Sequence, residues 1–270
     1  MKIQIFDVAH GFCAYVVGDN GNTMLIDCGH NDETGFYPGL YLVANGCSTI
    51  HRFFALNYDE DHLSGLPTLK AFLPIHVLHR NMSITPNQLR NLKRQAGPIG
   101  AGITALLEIM ESYPTGPLTA EPAYPNLEFQ FFWNVYPEFT DTNNLSLVLF
   151  LHYPGLSIVF PGDLEKAGWR NLLQRPDFRA HLARVNIFVA SHHGRESGYA
   201  PEVFDVCKPD IVIISDESKQ YDTQEIDYNK HAKGITWNQT DIRKVLTTRK
   251  DGMLTITKDL QSGYYVQASK

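Results

Sequence analysis

The residues Ala55-Leu56-Asn57-Tyr58-Asp59-Glu60-Asp61-His62-Leu63-Ser64-Gly65 constrain this chain more than any other stretch. The apolar run Phe53-Phe54-Ala55-Leu56 before the polar residues reads as a buried strand, and Leu63, Leu66, Leu69 and Phe72 recur after them at helical spacing. A strand therefore ends in a turn that crowds Asn57, Asp59, Asp61 and His62 above the start of a helix. Carboxylates and an imidazole packed this closely repel one another and are costly to desolvate. A bound cation or a fully hydrated loop resolves that cost. Acidic turns are common, so local composition leaves both readings open.

Length and charge narrow the rest. With 270 residues, 43% of them hydrophobic, the chain can bury a full core as one large α/β domain or two small ones. The net charge of −6 argues against strong non-specific attraction to nucleic acid and leaves room for a local basic groove. Cys13, Cys28, Cys47 and Cys207 are widely spaced, which suits buried thiols and supports neither a disulfide framework nor a thiolate zinc site. The opening Met1-Lys2-Ile3-Gln4-Ile5-Phe6 enters a strand pattern directly, without the look of a signal peptide, and no apolar run reaches about 18 residues. The expectation is a soluble, cytoplasmic protein with no membrane insertion.

Along the chain, strands are expected at 3–8, 13–17 and 24–27, with Ala9-His10-Gly11-Phe12 between the first two and the turn Asp19-Asn20-Gly21-Asn22 before the third. Asp27 stands at a strand end before Gly29, where capping a turn is one use of it. His10 and His30 read as surface or packing residues. A short strand is expected at 75–79, and a basic helix at 86–95 starts on Pro86 and carries Arg90, Lys93 and Arg94. That face is either solvated or turned towards phosphate. A more apolar helix follows at 101–112, then a loop at 113–126 with Pro114, Pro117, Pro122 and Pro125. The aromatic strand 127–133 leads to Asp141-Thr142-Asn143-Asn144-Leu145-Ser146 and a buried strand. Next come the strand and turn Leu156–Glu165, containing Gly162-Asp163, and a helix at 166–173. Val185–Ala190 is a strand ending in Ser191-His192-His193-Gly194, and two imidazoles before a glycine at a strand end suit metal ligation. The strand 210–215 is followed by a polar stretch, 216–240, that contains Tyr221 and His231.

Taken in order, these blocks resemble the metallo-β-lactamase superfamily, whose signature is H-x-H-x-D-H. They are most similar to the ComEC-type β-lactamase-like domain of DNA-uptake channel proteins, with its H-x-D-x-D-H version. Asn57 stands at the first histidine, Asp59, Asp61 and His62 match, and Ser64-Gly65 replaces a glycine pair. Asp7-Val8-Ala9-His10-Gly11-Phe12 resembles D-V-G-Q-G-D with Phe12 in place of the last Asp, and Leu25-Ile26-Asp27-Cys28-Gly29 resembles L-I-D-x-G. Asn143-Asn144-Leu145-Ser146, Gly162-Asp163 and His192-His193-Gly194 resemble the later motifs, and 245–256 resembles a closing hairpin; the family's N-x-Y-x-H-P is missing beyond Tyr221.

The resemblance implies a four-layer αββα sandwich over the whole chain, 1–270, as a single domain with its site along one edge. It implies a metal-dependent hydrolase, a nuclease or phosphodiesterase acting on nucleic acid or a small phosphodiester through a metal-activated water. A small-ester, lactone or thioester hydrolase and a non-catalytic binding or regulatory subunit are the alternatives. Asp61, His62, Asp163 and His192 are expected to hold one firm Zn²⁺ or Mn²⁺ ion. Asn57, Asp59 and Asp163 would form a weak or vacant second site, since an amide is a poor zinc ligand. His192 is taken as the ligand because it comes first after the strand, leaving His193 beside it or in catalysis. Asp61 would assist the attacking water, Asn144 and Ser146 would orient phosphate, and Arg90 or Arg195 would contact the substrate backbone. A channel or defence protein is a conceivable partner.

Overall fold

The structure, a computed structural model, describes residues 1–113, 121–217, 222–237 and 240–270. Pro114 and Pro117 of the expected loop, and Tyr221, lie outside the described residues. The strands are β1 (Lys2–Ile5), β2 (Ala14–Val17), β3 (Thr23–Ile26), β4 (Ile50–Phe54), β5 (Ile75–His79), β6 (Glu128–Trp133), β7 (Leu147–Tyr153), β8 (Leu156–Phe160), β9 (Ile187–Val189), β10 (Ile211–Ile214), β11 (Ile235–Trp237), β12 (Asp241–Arg243), β13 (Val245–Thr247), β14 (Leu254–Thr257) and β15 (Tyr265–Ala268). The helices are α1 (Pro38–Ala44), α2 (Glu60–Leu63), α3 (Leu66–Phe72), α4 (Pro86–Ala96), α5 (Ala101–Ser112), α6 (Lys166–Leu172), α7 (Pro176–Leu182), α8 (Glu225–His231) and α9 (Thr248–Asp251).

Alternation along the strands builds the layers. One sheet runs β15-β14-β1-β2-β3-β4-β5 and the other β13-β10-β9-β8-β7-β6. Ile3 and Ile5 of β1, Met24 and Ile26 of β3, and Leu147, Leu149 and Leu151 of β7 share one core between the two sheets. The residues between them in sequence point the other way, because successive side chains of a strand leave opposite faces. Leu25 thus packs with Leu42, Leu66, Leu69 and Leu106 of the helices on the first sheet. Val148 and Phe150 pack with Trp169, Phe178 and Tyr228 of those on the second. The result is the expected metallo-β-lactamase-like four-layer αββα sandwich. No helix among the described residues is long and apolar enough to cross a membrane.

The expected closing hairpin at 245–256 does not form. β13 joins the second sheet beside β10, α9 turns the chain, and β14 pairs with β1 in the first sheet. The segment crosses between sheets, because Leu246 and Leu254 both serve the core that lies between them. Phe72, expected on the apolar stripe after the signature turn, is exposed, since α3 ends there.

Candidate metal centre

Five strand ends meet at one edge of the sandwich. β3, β4 and β5 run parallel in one sheet, and β8, β9, β10 and β13 in the other, so their carboxyl-terminal loops gather together. Asp27 follows β3, the signature turn follows β4, Asp163 follows β8, His192 and His193 follow β9, and Ser215 follows β10. The turn carrying Asp61 is clasped by backbone. A Cβ on Gly11 or Gly29 would stand 2.2 or 2.3 Å from the Asp61 carbonyl oxygen, so only glycine permits this approach.

The side chains of Asp61, His62, Asp163 and His193 bring one donor atom each within 4.8 Å of the others. His62 Nε2 lies 3.3 Å from His193 Nε2 and 3.0 Å from Asp163 Oδ1, and His193 Nε2 lies 3.2 Å from Asp61 Oδ2. These separations match the edges, about 3.3 Å, of a tetrahedron whose metal–ligand bonds are roughly 2.0–2.1 Å. Asp163 Oδ1 is buried and, apart from facing the ring nitrogens of His62 at 3.0 Å and His193 at 3.6 Å, has no hydrogen-bond donor, which is the position of an acceptor that a cation can satisfy. The residues fit one divalent ion.

Neighbours set the ring orientations. Asp27 Oδ2 takes the His62 Nδ1 proton at 2.7 Å while its Oδ1 accepts the Leu56 N–H at 2.7 Å, leaving Nε2 to face the cluster. His193 Nδ1 donates to the Ser215 carbonyl at 3.0 Å and presents Nε2 in the same way. Burial alone would lower the His62 pKa, yet the Asp163 and Asp27 carboxylates outweigh it and hold the imidazole well above its ordinary value. Burial likewise opposes charge on His193, while Asp163 and Asp61 push it up to about 9. Burial raises Asp61, but the hydrogen bond to His193 and the two imidazole charges bring it down to about 2. Without an ion the cluster is thus an internal salt of imidazoliums and carboxylates. Its floor is apolar, formed by Phe12, Leu56, Phe160 and Val189, and this strengthens every charge above it.

The histidine pair exchanges its expected roles. His193 enters the cluster. His192 turns aside, with Nδ1 2.8 Å from Ser197 Oγ and Nε2 accepting from Arg195 Nη1 at 3.1 Å. The cause is backbone: His192, His193 and Gly194 have φ of 51°, 54° and 75°, a left-handed run that re-aims successive side chains. Two non-glycine residues there cost roughly 1–2 kcal/mol each, strain of the kind held at functional sites.

His10 is the residue that sequence reasoning passed over. Its ring lies tilted against that of His193, centroids 4.4 Å apart, and its Nε2 is 3.5 Å from Asp61 Oδ2 and accepts from Arg195 Nη2 at 2.6 Å. Burial, then the His193 charge, lowers its pKa to about 4, and burial also lowers that of His192. Arg195 therefore bridges two neutral imidazoles at the mouth of the centre. The available signal was that His10 occupies the Gln position of the resembled D-V-G-Q-G-D motif.

Other expected residues lie elsewhere. Asn144 is buried, its Oδ1 accepting from the Glu165 and Gly168 N–H groups at 3.2 and 2.8 Å and its Nδ2 donating to Asp141. Ser146 Oγ accepts from the Asp163 N–H and from Asn57 Nδ2, both at 3.1 Å. Both brace the Asp163 turn and the start of α6, and their groups are used inside the protein instead of facing a phosphate. Arg90 pairs with Glu111 at 2.5 Å and with Asn87, on the outside of α4. Asn57 and Asp59 stand beside the cluster, outside its donor set. His30 bonds Ser64 and Asp32, and His231 bonds Tyr199 and stacks on Phe204.

No family model matches the sequence. ComE operon protein 3 of Bacillus subtilis (strain 168) is 28% identical over 131 residues, which take in 48% of this chain and 16% of that protein's length. Among solved structures, Zn²⁺-bound PqqB from Methylobacterium extorquens superposes with a TM-score of 0.53 at 14% identity, covering 96% of this chain and 100% of that one. The metallo-β-lactamase fold protein YhfI from Bacillus subtilis gives 0.49 at 10% identity, over 94% and 99%. At 14% identity the likeness to PqqB is one of fold.

Proposed function

We propose that this chain is a metal-dependent hydrolase of phosphodiesters, with nucleic acid or a small phosphodiester as substrate. The observation that carries the reading is the convergence of the donor atoms of Asp61, His62, Asp163 and His193 at one buried point. A divalent ion bound there, zinc or manganese, would supply an acidified water and a Lewis acid for the substrate oxygen. Asp27 and the Ser215 carbonyl fix the tautomers that leave His62 Nε2 and His193 Nε2 as ligands. Asp61, the one partly exposed member, can receive the proton of the attacking water. Arg195, bridging His10 and His192 at the rim, is the group to meet a phosphate, whose geometry a guanidinium matches. The ordered motifs, whose resemblance to ComEC-type domains implies a nuclease, support the phosphodiester over a lactone or thioester.

Elemental analysis of the purified chain, paired with hydrolysis of bis-p-nitrophenyl phosphate and of DNA under added Mn²⁺ or Zn²⁺, tests this reading. The expected result is bound metal and turnover in the wild type, with both lost in Asp163→Asn. Metal with turnover only on lactones or thioesters would move the chain to the small-ester hydrolases. No metal and no turnover with either ion would make it a binding protein.

A further inference from the structure

We propose that Lys93 is the resident second cation of this centre: its ammonium neutralises Asp59, where a second metal ion would have to bind, and keeps the site mononuclear. The proposal rests on the metal-dependent reading above and concerns the half of the signature turn which that reading leaves unused. The resemblance to the metallo-β-lactamase signature implies that a second ion would use Asn57 and Asp59 together with Asp163, which already belongs to the Asp61 cluster.

The geometry around both residues is that of a satisfied polar network. The Asn57 amide is fully buried; its Oδ1 accepts the Asp59 N–H at 2.7 Å and its Nδ2 donates to Ser146 Oγ at 3.1 Å and Asn143 Oδ1 at 3.3 Å. Asp59 Oδ1 accepts from Lys93 Nζ at 2.6 Å and from Thr142 Oγ1 at 2.8 Å. Asn143 in turn points its amide N–H at Glu165. With Asp163 engaged in the Asp61 cluster, Asp59 is the one anion left to a second ion beside the Asn57, Asn143 and Thr142 groups, and that anion already holds a cation. Amides and hydroxyls compete poorly for zinc. Among the described residues, the only gathering of three or more His, Cys, Asp and Glu donors suited to an ion is the Asp61 cluster.

Lys93 is delivered to this position by construction. A capping box of Thr85 and Gln88 and a proline at the first turn start α4, and Leu89 is its buried residue. Lys93 lies four residues after Leu89, on the same face, so the side chain above the core anchor reaches Asp59. Arg90, one residue after Leu89, pairs with Glu111, which ties α4 to α5. A lysine ammonium is a compact point charge with three donors, able to pair with a phosphate as well as with a carboxylate.

The test is metal stoichiometry of the full chain, read by equilibrium dialysis with elemental analysis and by the Mn²⁺ electron-spin signal, neither of which depends on turnover. The wild type should take up one equivalent at saturation and show an uncoupled mononuclear manganese signal. Lys93→Gln, which frees Asp59, should admit a second equivalent at least about tenfold weaker than the first. Lys93→Arg, which keeps the charge, should remain at one, and thermal melts of both variants check their folding. Two equivalents with a coupled signal in the wild type would overturn the proposal, and so would a Lys93→Gln protein that still binds one. No uptake of either ion by the wild type would instead overturn the metal reading itself.

Discussion

At the scale of single residues, the two histidines after β9 should separate cleanly. His193→Ala removes a donor from the cluster and should abolish tight metal binding. His192→Ala, which loses contacts to Ser197, Arg195 and Glu165 outside the donor set, should keep the ion and lose turnover, seen by running metal content and hydrolysis side by side. Equal metal loss in both would mean that the rings exchange places in solution. Asp27 offers a second check. Asp27→Asn keeps an acceptor for the Leu56 N–H but removes the charge behind His62, and loss of such a supporting partner typically lowers metal affinity about 10–100-fold. A chelator-competition titration reads it directly. The order of motifs made Asp61, His62 and Asp163 legible, because strand ends in parallel sheets must meet at one edge. The choice between His192 and His193 was not legible, since it depends on a left-handed backbone that residue type does not announce.

At the scale of elements, the centre depends on backbone contacts as much as on ligands. Gly29→Ala would drive a Cβ to 2.3 Å from the Asp61 carbonyl, against backbone that has nowhere to retreat. The prediction is a folded protein of reduced melting temperature that has lost metal affinity, measured by melting and by metal uptake; unchanged uptake would show that the α2 turn adapts. Long periodic elements were readable: α5 matches its expected span of 101–112, and α4, Pro86–Ala96, runs one residue past its expected 86–95. Short or half-exposed ones were not. α7 shows only Phe178 and Leu182 inward, α8 buries Tyr228 alone, and β15 is an outer strand with Tyr265 exposed. Such pieces carry too little apolar pattern to stand out, and pairing or packing by distant neighbours decides them. The same holds for the 245–256 segment, where a hairpin and a crossing between sheets share one pattern of alternation.

At the scale of the whole molecule, the metal-free centre stores protons that an ion must displace, and this links pH, metal and stability. His193 has its pKa raised from 6.5 to about 9, and the Asp163 and Asp27 carboxylates hold His62 well above its ordinary value too. For the metal-free chain, the stabilisation from a protonated His193 is fully present below pH 6.5 and is lost as pH rises through about 9. Metal binding has the opposite sign, because the same protons compete with the ion for Nε2. Each proton released adds about 1.4 kcal/mol of metal-linked stability per pH unit, until the imidazole titrates by itself. The melting temperature of the metal-free chain should therefore fall between pH 6.5 and 9 as far as this cluster governs it. The gap between loaded and metal-free chains, at one fixed concentration of free ion, should widen over the same interval. Calorimetric melts at several pH values, with and without chelator, measure both. A gap that stays constant or narrows would mean that the cluster is already neutral without metal. The imidazoles would then be held by Asp27 and the Ser215 carbonyl alone, not by the charge of Asp61 and Asp163.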